Sequence, residues 1–191
     1  MQKEIRSLNE LFAELERKSE KSTLWFGIAG TWAKTNEEIE HDVRESVREI
    51  YLHNGGIVSG GALSVDFFAT DEALLLDPTA EHIKIFLPVT LERYATHYRK
   101  RAEEGVITQD QAETLIKQLE EVKKRNPSAI IENALNTSVD PTTYFERNTK
   151  VIEAADALLG FQVNESKGTQ DTIDKALAQS KPVFVRKYII D

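Results

Sequence analysis

The chain of 191 residues carries 32 acidic against 24 basic side chains, a formal net charge of −8, and has no cysteine. That length suits one α/β domain spanning 1–191 with a full core. The acidic balance argues against a general nucleic-acid coat, whose affinity comes from Lys and Arg neutralising phosphates, and the missing thiols exclude disulfides, thiolate ligands and thiol nucleophiles.

The N-terminus carries Lys3, Glu4, Arg6, Glu10 and Glu14, so it reads as neither a signal peptide nor a membrane span. A cytoplasmic setting without a membrane partner is expected. Residues 4–19 place Ile5, Leu8, Leu11, Phe12 and Leu15 on one helical face, an amphipathic entry helix within residues 1–20. Thr23–Ala29 is a buried strand with Trp25 in its core, ending in Gly30-Thr31-Trp32. The next helix is expected to start near Thr35 as cap, with Glu38 as its reciprocal partner. Ile39, Val43, Val47 and Ile50 form its inner face, and Asn54-Gly55-Gly56 ends it. Ile57–Ser59 is a short strand, Val65–Leu76 a helix and His82–Val89 a third strand. Leu91–Glu104 and Thr108–Arg125 read as two helices joined at Gly105, the second opened by a Thr108/Gln111 capping box. They form an inserted hairpin over 91–126. Asn126–Pro141 is expected to be a loop near the site. Tyr144-Phe-Glu-Arg-Asn148 opens another helix, and a last helix over Thr169–Ser180 separates the strands Ala157–Val163 and Pro182–Tyr188. Strands alternating with helices predict a Rossmann-like, doubly wound parallel sheet of five or so strands.

Two glycine-rich turns, Gly55-Gly-Ile-Val-Ser-Gly-Gly-Ala62 and Ser166-Lys-Gly-Thr169, fall where a strand hands over to a helix. Unpaired N–H groups and the helix dipole favour an anion there. The expected ligand is a nucleotide or nucleotide-derived small molecule, bound by Gly30, Thr31, Trp32, Ser59, Gly60, Gly61, Asp66, Arg147, Asn148, Ser166, Gly168 and Thr169. Gly61→Val is expected to block that ligand while sparing the fold. Asp66 and Glu146 are the candidate catalytic carboxylates; Glu146 has a competing use in a capping box with Thr143. The four histidines lack metal-ligand spacing, and neither a metal nor a cofactor is expected. The cluster Tyr94, His97, Tyr98, Arg99, Lys100 and Arg101 reads as a solvated helix with buried aromatics, against a competing use in holding a base or nucleic acid.

Gly27-Ile-Ala-Gly-Thr-Trp32, Gly55–Asp66 with its Ser-Gly-Gly-Ala block, Arg147-Asn148, Ala155-Asp-Ala-Leu-Leu159, Ser166–Thr169 and Lys181-Pro-Val-Phe184 follow one another in a telling order. Over roughly residues 23–187, outside the hairpin, this resembles the Rossmann-like domain of the DNA-processing protein A (DprA) family. That family sits in the SLOG superfamily beside the lysine decarboxylase-like LOG phosphoribohydrolases. The resemblance implies a nucleotide-like ligand. Trp32 stands where DprA-type sequences usually carry arginine, which exchanges a phosphate-pairing cation for an aromatic able to stack a base. Thr172 stands where the LOG catalytic glutamate would be, with Asp171 one position early.

Three function classes remain open: a nucleotide-binding protein, an N-glycosidic-bond hydrolase or ribosyl transferase using Glu146 or Asp66, and a DprA-like single-stranded DNA-binding protein. The charge and Trp32 lead to the expectation of no tight, general nucleic-acid binding at physiological salt. In the hairpin, Ala112, Leu115, Ile116, Leu119 and Val122 make a stripe too apolar for a free-standing helix. A homodimer is the expected cover for it. A lid over the cleft, with Tyr94 and Tyr98 inward, is the alternative.

Overall fold

Short runs rich in β-branched and large apolar residues form six parallel strands in the computed structural model, which describes residues 5–18 and 20–191. They are β1 (Trp25–Gly30), β2 (Gly56–Ser59), β3 (Ile83–Leu87), β4 (Ile130–Glu132), β5 (Ala157–Val163) and β6 (Val183–Tyr188), in the order β4-β3-β2-β1-β5-β6. Parallel neighbours need crossover connections, and the helices supply them: α2 (Glu37–Leu52), α3 (Val65–Leu76), α5 (Gln109–Arg125), α6 (Pro141–Ala154) and α7 (Lys167–Ala178). Two more helices, α1 (Leu8–Lys18) and α4 (Leu91–Glu103), complete the set. The expected limits of the first helix at 4 and 19 lie outside the described residues.

Strand patterning divides the core. In β1, Phe26 and Ile28 point into a large cluster with Leu11, Phe12, Ile39, Val43, Val65, Leu115 and Leu119, whereas Ala29 joins Ile152, Leu158, Ile173 and Ala176 from α6, β5 and α7. All seven positions of β5 are buried, as a central strand covered on both faces requires. The chain builds β1 to β4 in one direction and then returns to lay β5 and β6 on the other side of β1. The reversal lies between β1 and β5, and in open parallel sheets ligands bind beyond the strands' C-terminal ends at that point.

Several boundaries move for local reasons. Asn36, not Thr35, caps α2, its side chain accepting from Ile39 N–H. The α6 helix begins at Pro141, and its capping box joins Asp140 to Thr143 rather than Thr143 to Glu146. The Thr108/Gln111 box forms as read. Within the expected loop 126–141 lies β4, a three-residue edge strand paired to β3 through Ile85 and Ile130.

The hairpin differs most. Its second helix, α5, is the crossover between the parallel β3 and β4, and it packs beside α3, where Gln118 Nε2 donates to Phe67 O at 3.0 Å. Ala112, Leu115, Ile116, Leu119 and Val122 are all buried within one chain, so the stripe is covered by the protein's own sheet and helices. The homodimer expectation loses its surface. Each leucine so buried contributes about 1.5–3 kcal/mol to the fold. What is left over is α4, which runs along the cleft as its lid.

Candidate functional site

A cleft of about 280 Å³ opens at the C-terminal ends of β1 and β2, beside the switch point. Its floor is Ile28, Ala29 and Gly30 of β1 with Gly60 and Ala62 after β2; α6 and α7 form one wall and α4 the roof. Gly30 belongs there for a steric reason: a Cβ at this position would lie 2.4 Å from Val65 Cγ2 at the start of α3.

The first glycine turn is internally occupied. Asp66, on the first turn of α3, accepts from Gly60 N–H at 3.1 Å and Ala62 N–H at 3.2 Å through one carboxylate oxygen. That same oxygen lies 3.5 Å from Arg147 Nη1. The carboxylate thus stands where a ligand's anion was expected. Burial raises the Asp66 carboxyl above its usual range, opposed by Arg147 and the two N–H groups. Gly60 leaves room for that arginine, since a Cβ there would sit 0.9 Å from Nη1. Gly61 has a different task. At φ +64° it takes a left-handed conformation beneath β3 and α5, with a Cβ position 2.7 Å from Ile85, and it does not line the cleft. Gly61→Val therefore strikes the fold, contrary to expectation.

The second turn is open. Ser166 precedes α7 but makes no capping bond; its hydroxyl donates to Thr169 Oγ1 at 2.5 Å instead. Gln170 N–H, bonded to Ser166 O, is where the main-chain ladder starts. Gly168 and Thr169 line the cleft, so the positive end of α7 faces it without a side-chain acceptor.

The roof supplies groups from the basic-aromatic cluster in the lid arrangement that is the alternative to a dimer, with Tyr98 but not Tyr94 on the cleft lining. His97, Tyr98 and Arg101 of α4 line the cleft, while Arg99 pairs outward with Glu113 at 2.7 Å. The spacing of 97, 98 and 101 was the available signal, since positions three and four apart share a helix face. Arg101 lies 5.0 Å from the centroid of Trp32, which is 44% exposed at the mouth. Tyr144 and Phe145 of α6 add further aromatic wall, with Arg147 5.4 Å from the Tyr144 ring centroid. Burial, then Arg101, pushes His97 below its ordinary pKa, favouring the neutral ring. The lining's formal charges are then Arg101 and Arg147 against Asp66, a net of one positive charge.

Of the expected residues, Gly30, Trp32, Gly60, Asp66, Arg147, Asn148, Gly168 and Thr169 meet on this cleft. Thr31, Ser59, Gly61 and Ser166 do not line it. Thr31 is buried, its hydroxyl accepting from Ala33 N–H, and Ser59 is fully buried at the end of β2. Glu146 lies in a separate depression with Phe86, Pro88 and Lys150, accepting from Asn136 Nδ2 at 3.1 Å. The two candidate carboxylates consequently do not share the cleft, and Asp66 is committed to the turn and Arg147.

No protein-family model and no curated protein sequence matches this chain. Among solved structures it is similar to DNA processing protein A from Helicobacter pylori, described for a single-stranded DNA binding mode, with a TM-score of 0.63 and 22% identity. The match covers 85% of this chain and 64% of that one. DprA from Streptococcus pneumoniae aligns with a TM-score of 0.58 and 13% identity, over 85% of this chain and 50% of that one. The chain spans one half to just under two thirds of these proteins. At such identities the likeness is one of fold: a DprA-like, Rossmann-like α/β sheet.

Proposed function

We propose that the cleft binds single-stranded DNA by taking up one nucleotide of the strand. The observation that supports this best is the convergence of an exposed aromatic, its partner guanidinium and an uncapped helix start on one opening: Trp32, Arg101 and the Gly168-Thr169 turn. Aromatic faces stack any base, contributing about 1–3 kcal/mol each, and a helix start with a nearby arginine favours phosphate. Ligand pockets usually run to about 300–1,000 Å³, so a cleft of about 280 Å³ fits one nucleotide rather than several. The DprA-like fold adds weight, because one solved neighbour is described by its single-stranded DNA binding.

Charge sets the strength of this binding. With one or two phosphates neutralised and a chain of net charge −8, affinity rests on stacking and falls gently with salt. The expected slope of log K against log salt is about −0.7 to −1.4 for a single strand. Fluorescence anisotropy of a labelled oligothymidylate at low salt tests the proposal. Binding should weaken about 5- to 50-fold in Trp32→Ala and in Arg101→Ala, with an unchanged melting temperature. Duplex DNA should compete poorly, because its bases are already stacked. Equal competition by duplex, or full affinity in both variants, overturns the reading. A second reading, a free mononucleotide as ligand, draws on the same cleft and on the acidic net charge. Competition by mononucleotide at concentrations that displace the strand mole for mole would favour it.

A further inference from the structure

Asn148 is the cleft residue whose side chain is held in one orientation from behind. Its Nδ2 donates to Asp171 Oδ2 at 3.0 Å, and Lys175 Nζ lies 2.6 Å from that same oxygen. A carboxylate paired with an ammonium only accepts hydrogen bonds, so the amide must turn its nitrogen towards Asp171. Asp171 and Lys175 do not line the cleft, whereas Asn148 does. The other corner of the amide, Oδ1, has no hydrogen-bond partner among the described residues. The spacing makes this arrangement rigid: Asp171 and Lys175 sit four residues apart on α7, and Asn148 projects from the neighbouring α6. A helix–helix contact thereby fixes the amide of a cleft-lining residue, with Oδ1 as its uncommitted acceptor.

Resting on the nucleotide-binding reading above, we infer that Asn148 Oδ1 reads a hydrogen-bond donor on the bound nucleotide, with Asp171 as the residue that positions it. Of the other charged groups of the lining, Asp66 is already committed to the Gly60 and Ala62 N–H groups and to Arg147, and the remainder, Arg101 and Arg147 with the α7 start, are donors by nature. They suit phosphate. An acceptor there does not; it selects an N–H of the base or an O–H of the sugar. A ligand without such a donor leaves Oδ1 desolvated and unpaired, which costs roughly 1–3 kcal/mol, or about 5- to 150-fold in affinity.

Three homopolymers of eight nucleotides separate the sources, since every register presents the same unit: oligo(dA), oligo(rA) and an oligomer of purine deoxyriboside, which lacks the exocyclic amine. If the base supplies the donor, oligo(dA) and oligo(rA) bind alike and the purine deoxyriboside strand binds at least fivefold more weakly. If the sugar supplies it, oligo(rA) binds at least fivefold more tightly than both deoxy strands. Asn148→Ala should bring that ratio close to one. Asp171→Asn should relax it as well, by letting the Asn148 amide turn over, while both variants melt within a few degrees of the wild type. A loss of ratio at unchanged stability is a readout that a merely structural contact would not give. Equal binding of all three strands by the wild type overturns the inference and leaves the binding cleft standing. So does a ratio that survives Asn148→Ala. Failure of every strand to bind overturns the nucleotide-binding reading and the inference with it.

Discussion

The turn from β2 into α3 and the turn from β5 into α7 both carry glycine beside a hydroxyl residue and lead into a helix at the same cleft, yet their electrostatic states differ. In the first, the Asp66 carboxylate fills the N–H groups of Gly60 and Ala62 and also holds Arg147. In the second, Ser166 turns its hydroxyl to Thr169 and leaves the start of α7 without a side-chain cap. A glycine-rich turn at a helix start is therefore an anion site only where the chain has not supplied its own anion. The first turn is architecture that shapes the cleft. The second is the part that can accept a ligand's phosphate.

Changes beneath the first turn should have the largest effects, because it is seated on the core. The double variant Leu115→Glu, Leu119→Glu places two carboxylates in fully packed positions, the second of them against Gly61. It should abolish folding, seen as loss of the cooperative thermal transition, rather than yield a folded monomer. A folded, soluble double variant would show that the stripe is not buried within one chain.

Gly61→Val combines a strained left-handed position, costing about 1–3 kcal/mol, with overpacking against Ile85 and Leu87 at about 1–3 kcal/mol more. Its melting temperature should drop by many degrees. Asp66→Ala leaves Arg147 and two turn N–H groups unpaired in a buried setting and should cost about 3–5 kcal/mol in chemical denaturation. The pH dependence follows from the raised pKa of Asp66. The native state holds this proton more tightly than the unfolded chain does. The stability contributed by Asp66 therefore declines as pH rises from about 4 through the raised value. Asp66→Asn should remove that decline.

The second turn should answer in the opposite way. Gly168 has open space where a Cβ would go, and a β-branched residue is no worse than glycine inside a helix. Gly168→Val should leave the melting temperature within a few degrees of the wild type and reduce oligonucleotide affinity about tenfold by crowding the phosphate position. Gly61→Val losing binding with full stability, or Gly168→Val unfolding the protein, would invert the comparison.

These two turns also mark how far the sequence alone could be read. Alternating strand and helix patterns were legible because burial imposes them locally: β5 is apolar throughout, and α2 repeats Ile39, Val43, Val47 and Ile50 along its inner face. The edge strand β4 was not legible, since Ile130–Glu132 offers three residues in a polar stretch and is stabilised by pairing with β3. The cover over the Leu115–Val122 stripe was equally hidden, because nothing local says that α5 is a crossover helix. In the site, residue types were readable but their commitments were not. Asp66 reads from the sequence as a free carboxylate, whereas in the fold it is bonded to Gly60 and Ala62 and faces Arg147. Arg101 reads from the sequence as part of a solvated helix face, whereas α4 folds it over Trp32.

The most direct measurement is a backbone amide NMR titration of the wild type with oligothymidylate at low salt. The account predicts that the Gly168 and Thr169 amides shift strongly and saturably together with the Trp32 indole, while the Gly60 and Ala62 amides, already bonded to Asp66, move little. Strong shifts at Gly60 and Ala62 with none at Gly168 and Thr169 would contradict it.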